Sequence, residues 1–567
     1  MKNLKYPIYK VDKVNNLKEL LNNCALKFSS RIAFEYKIKG NQTQKINYKQ
    51  FKRDVESLGT AFYNMSLKNC HIAVIGENSY EWITTYIATV NGSNVIVPID
   101  KDLTAQEIKK ILINSNCRTI IYSDLYSDII KEIQNDLRNV LYFINMKAEC
   151  HSGKIKSYKA LLQEGQRLIA QGDNSFVNNE IDSRKLAAII YTSGTTGVGK
   201  GVMLSHQNIA ANTVAALNNV KVYDVSVLVL PLHHTFGFVA GVLCMLHVGT
   251  KICINSSLKN VSKDMEFYKP THLFLVPLFV EKMYKKIWIT AQRNGKAGLL
   301  RKLIKISNAL LKLGIDLRRK FFKTVLDGFG GELKIIVCGG APLDPRYVKG
   351  LRDFGINVLN GYGITECSPI VSVNRNDYYK DGSIGQVLPC CEVKIDELHN
   401  SYEGEILVKG QNVMLGYYNN TGLTEEVMEE KWFRTGDIGK VDKDGFLFIT
   451  GRKKNLIILS NGKNIYPEEL EMLVLNIPYV KEVVVYSEKD GVRRETTITA
   501  EVFLDNEYIE IENIKNPDKQ LNDDISVINK DIPYYKNIRR IKIRHTEFNK
   551  TTTKKIKRFN IGIEMNN

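Results

Sequence analysis

The feature that most restricts the fold is a regular alternation of short apolar segments with amphipathic helical patterns. The run IAVIG at 72–76 is followed by a helical pattern and then by the run NVIVPI at 94–99. Thr104 and Glu107 have the spacing of a capping box that begins another helix, and RTIIYS at 118–123 closes the series. The order strand, helix, strand, helix, strand predicts a mostly parallel sheet with helices on both faces.

The same alternation continues along the chain and then changes. Further apolar runs stand at 186–191, 225–232, 271–277 and 333–340. After about residue 382 short strands and Asp-Gly turns follow one another, and then come a helix, two strands and a basic tail. We therefore expect an α/β protein. In this prediction residues 1–451 form a large N-terminal body of mostly parallel, covered sheets with a small β-rich subdomain, and residues 452–567 form a small α+β domain.

Composition narrows the class of protein. The 567 residues are 44% hydrophobic and 25% charged, which is typical of globular domains and excludes disordered, collagenous or disulfide-stapled chains. Ten scattered cysteines without a CxxC pair, and an N-terminus without the apolar core of a signal peptide, predict a cytoplasmic protein with free thiols. The net charge of +18 indicates polyanionic partners: nucleotides, anionic lipid or nucleic acid.

One stretch, residues 225–249, resembles a membrane span but contains polar interruptions. Pro231, His233, His234 and His247 all fall within it. Because a span needs about 20 predominantly apolar residues, a strand followed by a buried helix is the better prediction.

A glycine-rich loop is the first segment whose composition indicates chemistry. The sequence YTSGTTGVGKG, residues 191–201, follows a predicted strand and precedes a helix that we expect to begin near Ser205. Its glycines let the backbone approach a ligand, its Ser and Thr residues add hydroxyl groups, and Lys200 adds a positive charge. These groups favour phosphate binding over a glycine turn without a ligand.

The same loop also fits the P-loop pattern G-x4-G-K, from Gly194 to Lys200. In a P-loop the next residue is Ser or Thr, whose hydroxyl holds magnesium, whereas position 201 is glycine. A P-loop NTPase that hydrolyses ATP to ADP is therefore a more remote alternative.

Several segments together resemble a known family. They are YTSGTTGVGKGVMLSHQN from residue 191, PLHHTFGF at 231–238, GGAPL at 339–343, NGYGITECSP at 360–369, RTGDIG at 434–439, GRKKNLIILSNGKNIYPEELE at 451–471 and NKTTTKKIKR at 549–558. These segments are similar, and in the same order, to the motifs of the adenylate-forming enzymes, the superfamily of acyl-CoA synthetases, luciferases and peptide-synthetase adenylation domains. The resemblance covers roughly residues 20–560. Residues 269–288 and 330–345 resemble long-chain fatty acyl-CoA synthetases in particular.

The resemblance implies an ATP-dependent acid–thiol ligase. Such an enzyme couples a carboxylate to the α-phosphate of ATP, releases pyrophosphate and then transfers the acyl group from AMP to a thiol. ATP, Mg²⁺ and CoA are the implied cofactor, metal and co-substrate, and a fatty acid of medium to long chain is the expected acid. An acyl carrier protein is the alternative acceptor.

The resemblance also implies the residues of the nucleotide site. The ATP-binding set is Thr192, Ser193, Gly194, Thr195, Thr196, Lys200, Gly340, Ala341, Pro342, Gly361, Tyr362, Gly363, Asp437 and Arg452. In this set the glycine-rich loop covers the β- and γ-phosphates and Tyr362 stacks on adenine. Asp437 and Arg452 bind the ribose.

Four further residues are implied in catalysis. Thr365 contacts the α-phosphate, and Glu366 holds Mg²⁺, since a hard carboxylate suits a hard cation. His234, rather than His233, lies near the reacting carboxylate. Lys555 bridges that carboxylate and the α-phosphate in the first step.

The lysine motif departs from the family pattern P-K-T-x-x-G-K-I-x-R. Asn549 replaces the proline and Lys554 replaces the glycine. Alignment on Ile556 and Arg558 makes Lys555, rather than Lys554, the catalytic residue.

The family also moves its small domain between the two steps of the reaction. By resemblance the hinge lies at Lys454. Gly462 then lines the channel for the pantetheine thiol, where a side chain would obstruct it. This alternation gates turnover.

A basic insert at 289–329 accompanies the resemblance to the long-chain enzymes. Residues 282–323 contain thirteen Lys or Arg against Asp316 as the single acidic residue, with leucines and isoleucines at near-helical spacing. The segment predicts either a peripheral contact with the inner face of a membrane or a solvated basic face whose apolar side packs on the core. The sequence contains no nucleic-acid recognition module, so we expect no nucleic-acid partner. A catalytically inactive membrane-associated binding protein is also conceivable, but the complete set of Glu366, Asp437 and Lys555 argues against it.

Overall fold

The computed structural model describes residues 8–39, 42–192, 199–255, 257–397, 403–459, 464–489, 496–550, 556, 558 and 561. The chain divides into two compact units. The first comprises residues 1–393 and 408–433, and the second comprises residues 394–407 and 434–567.

A nine-stranded sheet forms one half of the first unit. In spatial order its strands are Gln386–Val387, Ile370–Val373, Asn357–Gly363, Ile335–Cys338, His272–Leu275, Val225–Leu228, Lys251–Ile254, Ile32–Lys39 and Gln42–Asn47. The strands from Asn357–Gly363 to Ile32–Lys39 pair in parallel, and the three outer strands pair antiparallel.

A second, eight-stranded sheet contains the strands predicted between residues 72 and 123. Its order is Gly416–Tyr417, Lys200–Ser205, Leu186–Thr192, Val95–Pro98, His71–Ile75, Cys117–Tyr122, Tyr142–Asn145 and Ile155–Ser157. Six of these strands are parallel, and the first two join antiparallel. The predicted α/β class with mostly parallel sheets is confirmed.

Helices cover the sheets, and their sequences account for where they begin. The principal helices of the first unit are Leu17–Lys27, Tyr48–Asn64, Tyr80–Asn91, Ala105–Asn114, Ser127–Ile133, Tyr158–Ala170, His206–Asn219, Val261–Tyr268, Pro277–Arg293, Ala297–Lys312 and Pro345–Asp353. Thr104 and Glu107 form the predicted capping box, and Ser205 caps the helix predicted near it. Both helices therefore begin where a side chain satisfies exposed backbone N–H groups.

The stretch 225–249 folds as predicted. It forms the strand Val225–Leu228 and then the short helical segments Thr235–Phe238, Val239–Leu243 and Cys244–Val248, whose side chains are mostly buried. Among the described residues, no helix combines the length and apolar character needed to cross a membrane.

Shorter elements complete the first unit. They are the helices Arg318–Phe321, Lys323–Asp327 and Thr421–Val427 and the strand Met428–Glu429. The strands Cys391–Glu397, Gly404–Gly410 and Trp432–Val441 begin in one unit and end in the other.

The second unit has its own core and its own sheet. Its strands are Leu447–Arg452, Ile457–Ile458, Asn464–Ile465, Val480–Lys489, Thr496–Leu504 and Arg540–Arg544, and its helices are Pro467–Leu475, Asn506–Ile511 and Pro517–Asp531. Val480–Lys489 pairs antiparallel with Thr496–Leu504, which pairs in parallel with Arg540–Arg544. Buried residues from the sheet and two of the helices, such as Leu470, Val485 and Leu521, form one cluster.

Candidate active site

The glycine-rich loop connects two antiparallel strands. Leu186–Thr192 pairs with Lys200–Ser205, and Thr192 lies opposite Lys200 at the end of the pair that the loop connects. A Cβ on Gly199 would lie 2.3 Å from the backbone oxygen of Thr192, so this close approach requires glycine. Ser193, Gly194, Thr195 and Thr196 lie outside the described residues.

This connection differs from that of a P-loop. A P-loop runs from a strand directly into a helix, whereas a strand, Lys200–Ser205, follows here and the helix begins only at His206. At position 201 a Cβ would contact the side chains of Ile189, Tyr191 and Tyr418 at 3.0–3.3 Å. Gly201 therefore has a packing role in a sheet, and the loop is not a P-loop.

The carboxyl ends of neighbouring strands bring the segments GGAPL, 339–343, and NGYGITECSP, 360–369, together. Ile335–Cys338 leads to Gly340, which has a φ of +90°, and Ala341 and Pro342 follow it. The parallel strand Asn357–Gly363 leads to the turn that contains Thr365 and Glu366.

Gly363 and Tyr362 close the end of that strand. A Cβ on Gly363 would lie 2.3 Å from the backbone oxygen of Pro369, so the turn folds tightly back on the strand only with glycine. Tyr362 is buried at 8% exposure, and it lines a cavity together with both neighbouring glycines, Gly361 and Gly363.

Tyr417 links Glu366 to Lys200. Its hydroxyl donates a hydrogen bond to Glu366 Oε1 at 2.9 Å, and Lys200 Nζ lies 5.4 Å from the centre of its ring. Met414 N donates to the backbone oxygen of Glu366 at 2.8 Å and fixes the main chain of the turn. The structure thus brings together two residues predicted from separate motifs.

Burial and the negative charge of Glu366 raise the pKa of Tyr417 well above its ordinary value. The phenol therefore remains protonated at neutral pH and acts as a hydrogen-bond donor. It orients the Glu366 carboxylate, which supplies the oxygen donors that Mg²⁺ prefers. Glu366 therefore fits a magnesium ligand, with Tyr417 as its support.

An apolar cavity lies beside these strand ends. Its volume is about 70 Å³, room for about five to seven water molecules at roughly 10–15 Å³ each. Its lining combines Gly340, Gly361 and Gly363 with apolar side chains that include Phe236, Ala240 and Met245. The site therefore joins a polar strand edge to an apolar cavity.

His234 immediately precedes the short helix Thr235–Phe238. Phe236 on that helix lines the cavity. The ring of His234 lies 4.2 Å from that of His233. Burial, the neighbouring His234 and Lys101 hold the pKa of His233 well below its ordinary range, so His233 is neutral.

The second unit contains the RTGDIG motif, residues 434–439. Asp437 and Arg452 lie opposite each other on paired strands, and Arg452 Nε forms an ion pair with Asp437 Oδ1 at 2.8 Å. Asp437 is buried while Arg452 is partly exposed. The pairing of Trp432–Val441 with Leu447–Arg452 thus places both predicted residues at one point.

Glu405 holds the same motif in place. This buried carboxylate accepts hydrogen bonds from Arg434 Nη1 at 2.9 Å, from Gly436 N at 3.1 Å and from Lys453 Nζ at 2.8 Å. It therefore holds Gly436, the residue before Asp437, and Lys453, the residue before Lys454. Lys454 is exposed in the turn Lys453–Asn455.

The residues around the lysine motif are anchored within the second unit. Lys550 forms ion pairs with Glu482 and Glu547 and pairs with Ile556 as an antiparallel bridge. Arg558 donates a hydrogen bond to Glu471. Residues 551–555, which include Lys555, lie outside the described residues, as does Gly462.

Two residues of the site were not predicted from the sequence. Tyr417 and Glu405 both act through contacts with residues that are distant along the chain. A lone tyrosine and a lone glutamate in short strands carry no periodic or spacing signal that could have identified them.

The chain is similar to known proteins of one family. Residues 21–418 match the protein family described as AMP-binding enzyme. Fatty acyl-CoA synthetase A of Dictyostelium discoideum is 30% identical over 470 residues, covering 78% of this chain and 70% of that protein. The long-chain-fatty-acid–CoA ligase of Salmonella typhimurium is 27% identical over 517 residues, covering 83% of each.

The fold also matches a solved structure. The anthranilate CoA ligase AuaEII in complex with anthranoyl-AMP has a TM-score of 0.76 at 19% identity and covers 99% of this chain and 98% of that one. The chain therefore belongs to the AMP-binding enzyme family, the adenylate-forming superfamily whose motifs its sequence carries.

Proposed function

We propose that this protein is an ATP-dependent acid–thiol ligase that activates a medium- to long-chain fatty acid as acyl-AMP and transfers the acyl group to CoA. The observation that carries the proposal of an acid-activating site is the apolar cavity beside Gly340 and Gly363, at the strand edge that also presents Glu366 and Lys200. The names of the fatty acyl-CoA synthetase and the long-chain-fatty-acid–CoA ligase to which the chain is similar support a fatty acid.

In the first step a carboxylate oxygen attacks the α-phosphorus of ATP, the bond to the bridging oxygen breaks, and pyrophosphate leaves. The step brings anions together, so it depends on positive charge and oriented donors. Lys200 and the loop at 193–196 bind the β- and γ-phosphates, and Thr365 contacts the α-phosphate. A Mg²⁺ ion held by Glu366 would supply charge neutralisation on the phosphates.

The remaining roles follow from the same proposal. Tyr362 stacks on adenine, with Ala341 and Pro342 beside it, and Asp437 and Arg452 bind the ribose. His234 lies at the acyl carboxylate.

The two half-reactions divide between the domains. Lys555 bridges the acyl carboxylate and the α-phosphate during adenylation. The domain 452–567 then turns about Lys454, Gly462 lines the thiol channel, and the thiolate displaces AMP from the acyl carbon. Conformational gating of this kind sets the rate of many enzymes.

The cavity gives a direct test of acyl-chain selection. Ala240 lines the cavity, so Ala240→Phe would fill part of it. We expect the preferred acid to become shorter by several carbons while activity with the shorter acids persists, measured as acyl-CoA formation across a series of fatty acids. Ala170→Phe, at the exposed end of the helix Tyr158–Ala170, is the control. An unchanged preference in Ala240→Phe would show that the acyl chain binds elsewhere.

The acceptor is tested in the same assay. Replacing CoA by a holo-acyl carrier protein should lower product formation strongly if CoA is the acceptor. Faster transfer to the carrier protein would favour the alternative ligase.

We also propose that the helix Ala297–Lys312 contacts an anionic membrane surface on the cytoplasmic side. Leu300 is buried in the core, and Leu303 and Ile304 pack against that core. Leu299 and Ile306, seven residues apart and thus on one face of the helix, are 56% and 52% exposed. Leu313 continues this stripe at 76% exposure. The helix therefore has one apolar side that packs on the core and a second apolar stripe that is exposed.

The charges beside the stripe fit anionic lipid. Arg301, Lys302, Lys305 and Lys312 are exposed on the same helix. An apolar stripe flanked by basic residues is typical of helices that lie in the membrane interface, and each basic residue contributes about 1 kcal/mol near an anionic surface.

Vesicle sedimentation tests this contact. The triple variant Leu299→Ser, Ile306→Ser, Leu313→Ser should lose binding to vesicles rich in phosphatidylserine. The matched triple variant Leu26→Ser, Ile113→Ser, Leu125→Ser removes apolar residues that are equally exposed elsewhere, and it should bind like the parent. Equal binding by both triple variants would contradict the assignment.

A further inference from the structure

A buried histidine lies behind the wall of the apolar cavity and has no role in the nucleotide site. His272 begins the strand His272–Leu275, and the side chains of a strand alternate between the two faces of its sheet. Leu273 and Leu275 belong to one cluster of buried apolar residues. Phe274, on the same face as His272, lines the cavity. His272 is fully buried, so its imidazole needs partners inside the protein.

The hydrogen bonds of His272 determine which ring nitrogen carries the proton. Nδ1 accepts from the backbone N–H of Tyr223 at 3.3 Å, while the neighbouring hydroxyl of Thr271 donates its proton to Val225 O at 2.9 Å. Burial lowers the pKa of His272 to about 3, so the ring is neutral at neutral pH. Because Nδ1 is an acceptor, the single ring proton lies on Nε2.

The protonated nitrogen faces a residue of the cavity wall. Nε2 donates to Sδ of Met245 at 2.9 Å, and Met245 lines the cavity. The His272 ring also contacts the Phe274 ring edge to face, with 5.7 Å between the ring centres. Phe274 in turn contacts the Phe236 ring, another part of the wall, at 6.3 Å. His272 therefore holds two wall residues, one by a hydrogen bond and one by ring packing.

A methionine in a cavity wall adapts its shape unless a contact fixes it. Its unbranched side chain and soft thioether rearrange readily to fill irregular space. When its sulfur is anchored, Met245 instead presents a fixed boundary to an acyl chain. We propose that His272 is a positioning residue which, by holding Met245, sets the length of acyl chain that the cavity accepts; this role rests on the proposed function.

Chain-length discrimination by the full-length protein tests this role. Acyl-CoA formation is measured with saturated fatty acids of increasing length, and kcat and KM are determined for each acid. His272→Phe keeps a ring against Phe274 but removes the hydrogen-bond donor. We expect the preference in kcat/KM for the best acid over the next longer acid to fall at least about tenfold, through a lower KM for the longer acid, with kcat for the best acid unchanged.

Further variants separate positioning from a purely structural role. His272→Gln supplies an amide donor in place of Nε2 and should restore most of the discrimination. Met245→Ala removes the anchored side chain and should lower discrimination by itself, so adding His272→Phe to it should change nothing more. His206→Phe is the matched control, because His206 is also a buried histidine but accepts from Leu17 N. It should discriminate like the parent.

Two results would overturn the role of His272. One is unchanged discrimination in His272→Phe, and the other is an effect of His272→Phe that is equally large in the Met245→Ala background. If His272→Phe fails to fold, Met245→Leu decides, since it keeps an apolar side chain but lacks the sulfur acceptor. Loss of discrimination in Met245→Leu supports the role, and retained discrimination contradicts it.

Binding of the same acids without ATP, measured by calorimetry, distinguishes a wrong role for His272 from a wrong ligase function. Length-selective binding whose selectivity falls in His272→Phe, with no acyl-CoA formed by the parent, would support the role of His272 and contradict the ligase. Acyl-CoA formation with unchanged discrimination in His272→Phe would contradict the role of His272 alone. Absence of both binding and acyl-CoA formation in the parent would contradict both.

Discussion

Tyr417 and Glu366 illustrate how much of the site depends on single contacts between distant residues. They are 51 residues apart in the sequence, yet the tyrosine hydroxyl donates to the carboxylate at 2.9 Å. The motif around Glu366 could be predicted from its residues, whereas the support from Tyr417 appears only in the folded chain. Supporting residues of metal ligands commonly tune affinity and orientation.

Tyr417→Phe should therefore impair magnesium-dependent adenylation. Removing the hydroxyl leaves the Glu366 carboxylate without this orienting donor. We expect adenylation to fall about tenfold and the Mg²⁺ concentration for half-maximal rate to rise. Tyr418→Phe is the matched control, because Tyr418 contacts the His71 ring instead. An unchanged Mg²⁺ requirement in Tyr417→Phe would mean that the hydrogen bond is only structural.

Lys555 and Lys554 are neighbours, and substitution separates their roles. Lys555→Ala should lower adenylation by about 10²–10³, the cost of removing one oriented donor to a developing charge. Thioester formation from supplied acyl-adenylate should largely survive, because that step does not use Lys555. Lys554→Ala is the matched control and should retain most of both activities. Equal loss of both half-reactions in Lys555→Ala would remove the assignment.

At the scale of elements, the helix Pro467–Leu475 anchors the end of the lysine motif. Burial raises the pKa of Glu471 on this helix to about 7, and its Oε1 accepts from Val485 N at 2.7 Å. Arg558, which donates to the same carboxyl group, opposes that rise in pKa. The carboxyl group of Glu471 thus binds both the strand Val480–Lys489 and Arg558 at the end of the lysine motif.

This pKa predicts a pH-dependent stability of the second unit. Because folding raises the pKa of Glu471 from 4.5 to about 7, the folded unit binds the proton more tightly than the unfolded chain. The resulting stabilisation is fully present below pH 4.5 and is lost as pH rises through about 7, with an upper bound of about 3 kcal/mol. Amide hydrogen exchange of Val480–Lys489, corrected for its intrinsic pH dependence, measures it.

Glu471→Gln should remove this pH dependence. Glu469→Gln on the same helix is the control, since Glu469 is more exposed and pairs with Lys536. A pH profile that Glu471→Gln does not alter would contradict the role of this carboxyl group.

Local signals predicted some elements well and missed others. The capping box at Thr104 and the start of the helix at Ser205 carry their signals within a few residues, and both were predicted. The strand Lys200–Ser205 was missed because its sequence, KGVMLS, is short and contains glycine. It forms by pairing with Leu186–Thr192, and such pairing is not visible in its own sequence.

At the scale of the whole molecule, the sequence predicted the α/β class and the family, because the strand–helix rhythm and the ordered motifs extend along the chain. It did not predict that residues 394–407 group with residues 434–567 as one compact unit. That grouping arises from contacts between two segments of the chain. The 26 residues between them, 408–433, belong to the other unit. The movement of residues 452–567 about Lys454 stays a prediction.

Pyrophosphate–ATP exchange tests the central claim most directly. The purified full-length protein is incubated with labelled pyrophosphate, ATP, Mg²⁺ and acids from short to long chain, with aryl acids alongside and CoA omitted. The proposed function predicts exchange that depends on a medium- to long-chain fatty acid, with AMP appearing only when the thiol is added. Absence of exchange with every acid, together with release of ADP, would contradict it.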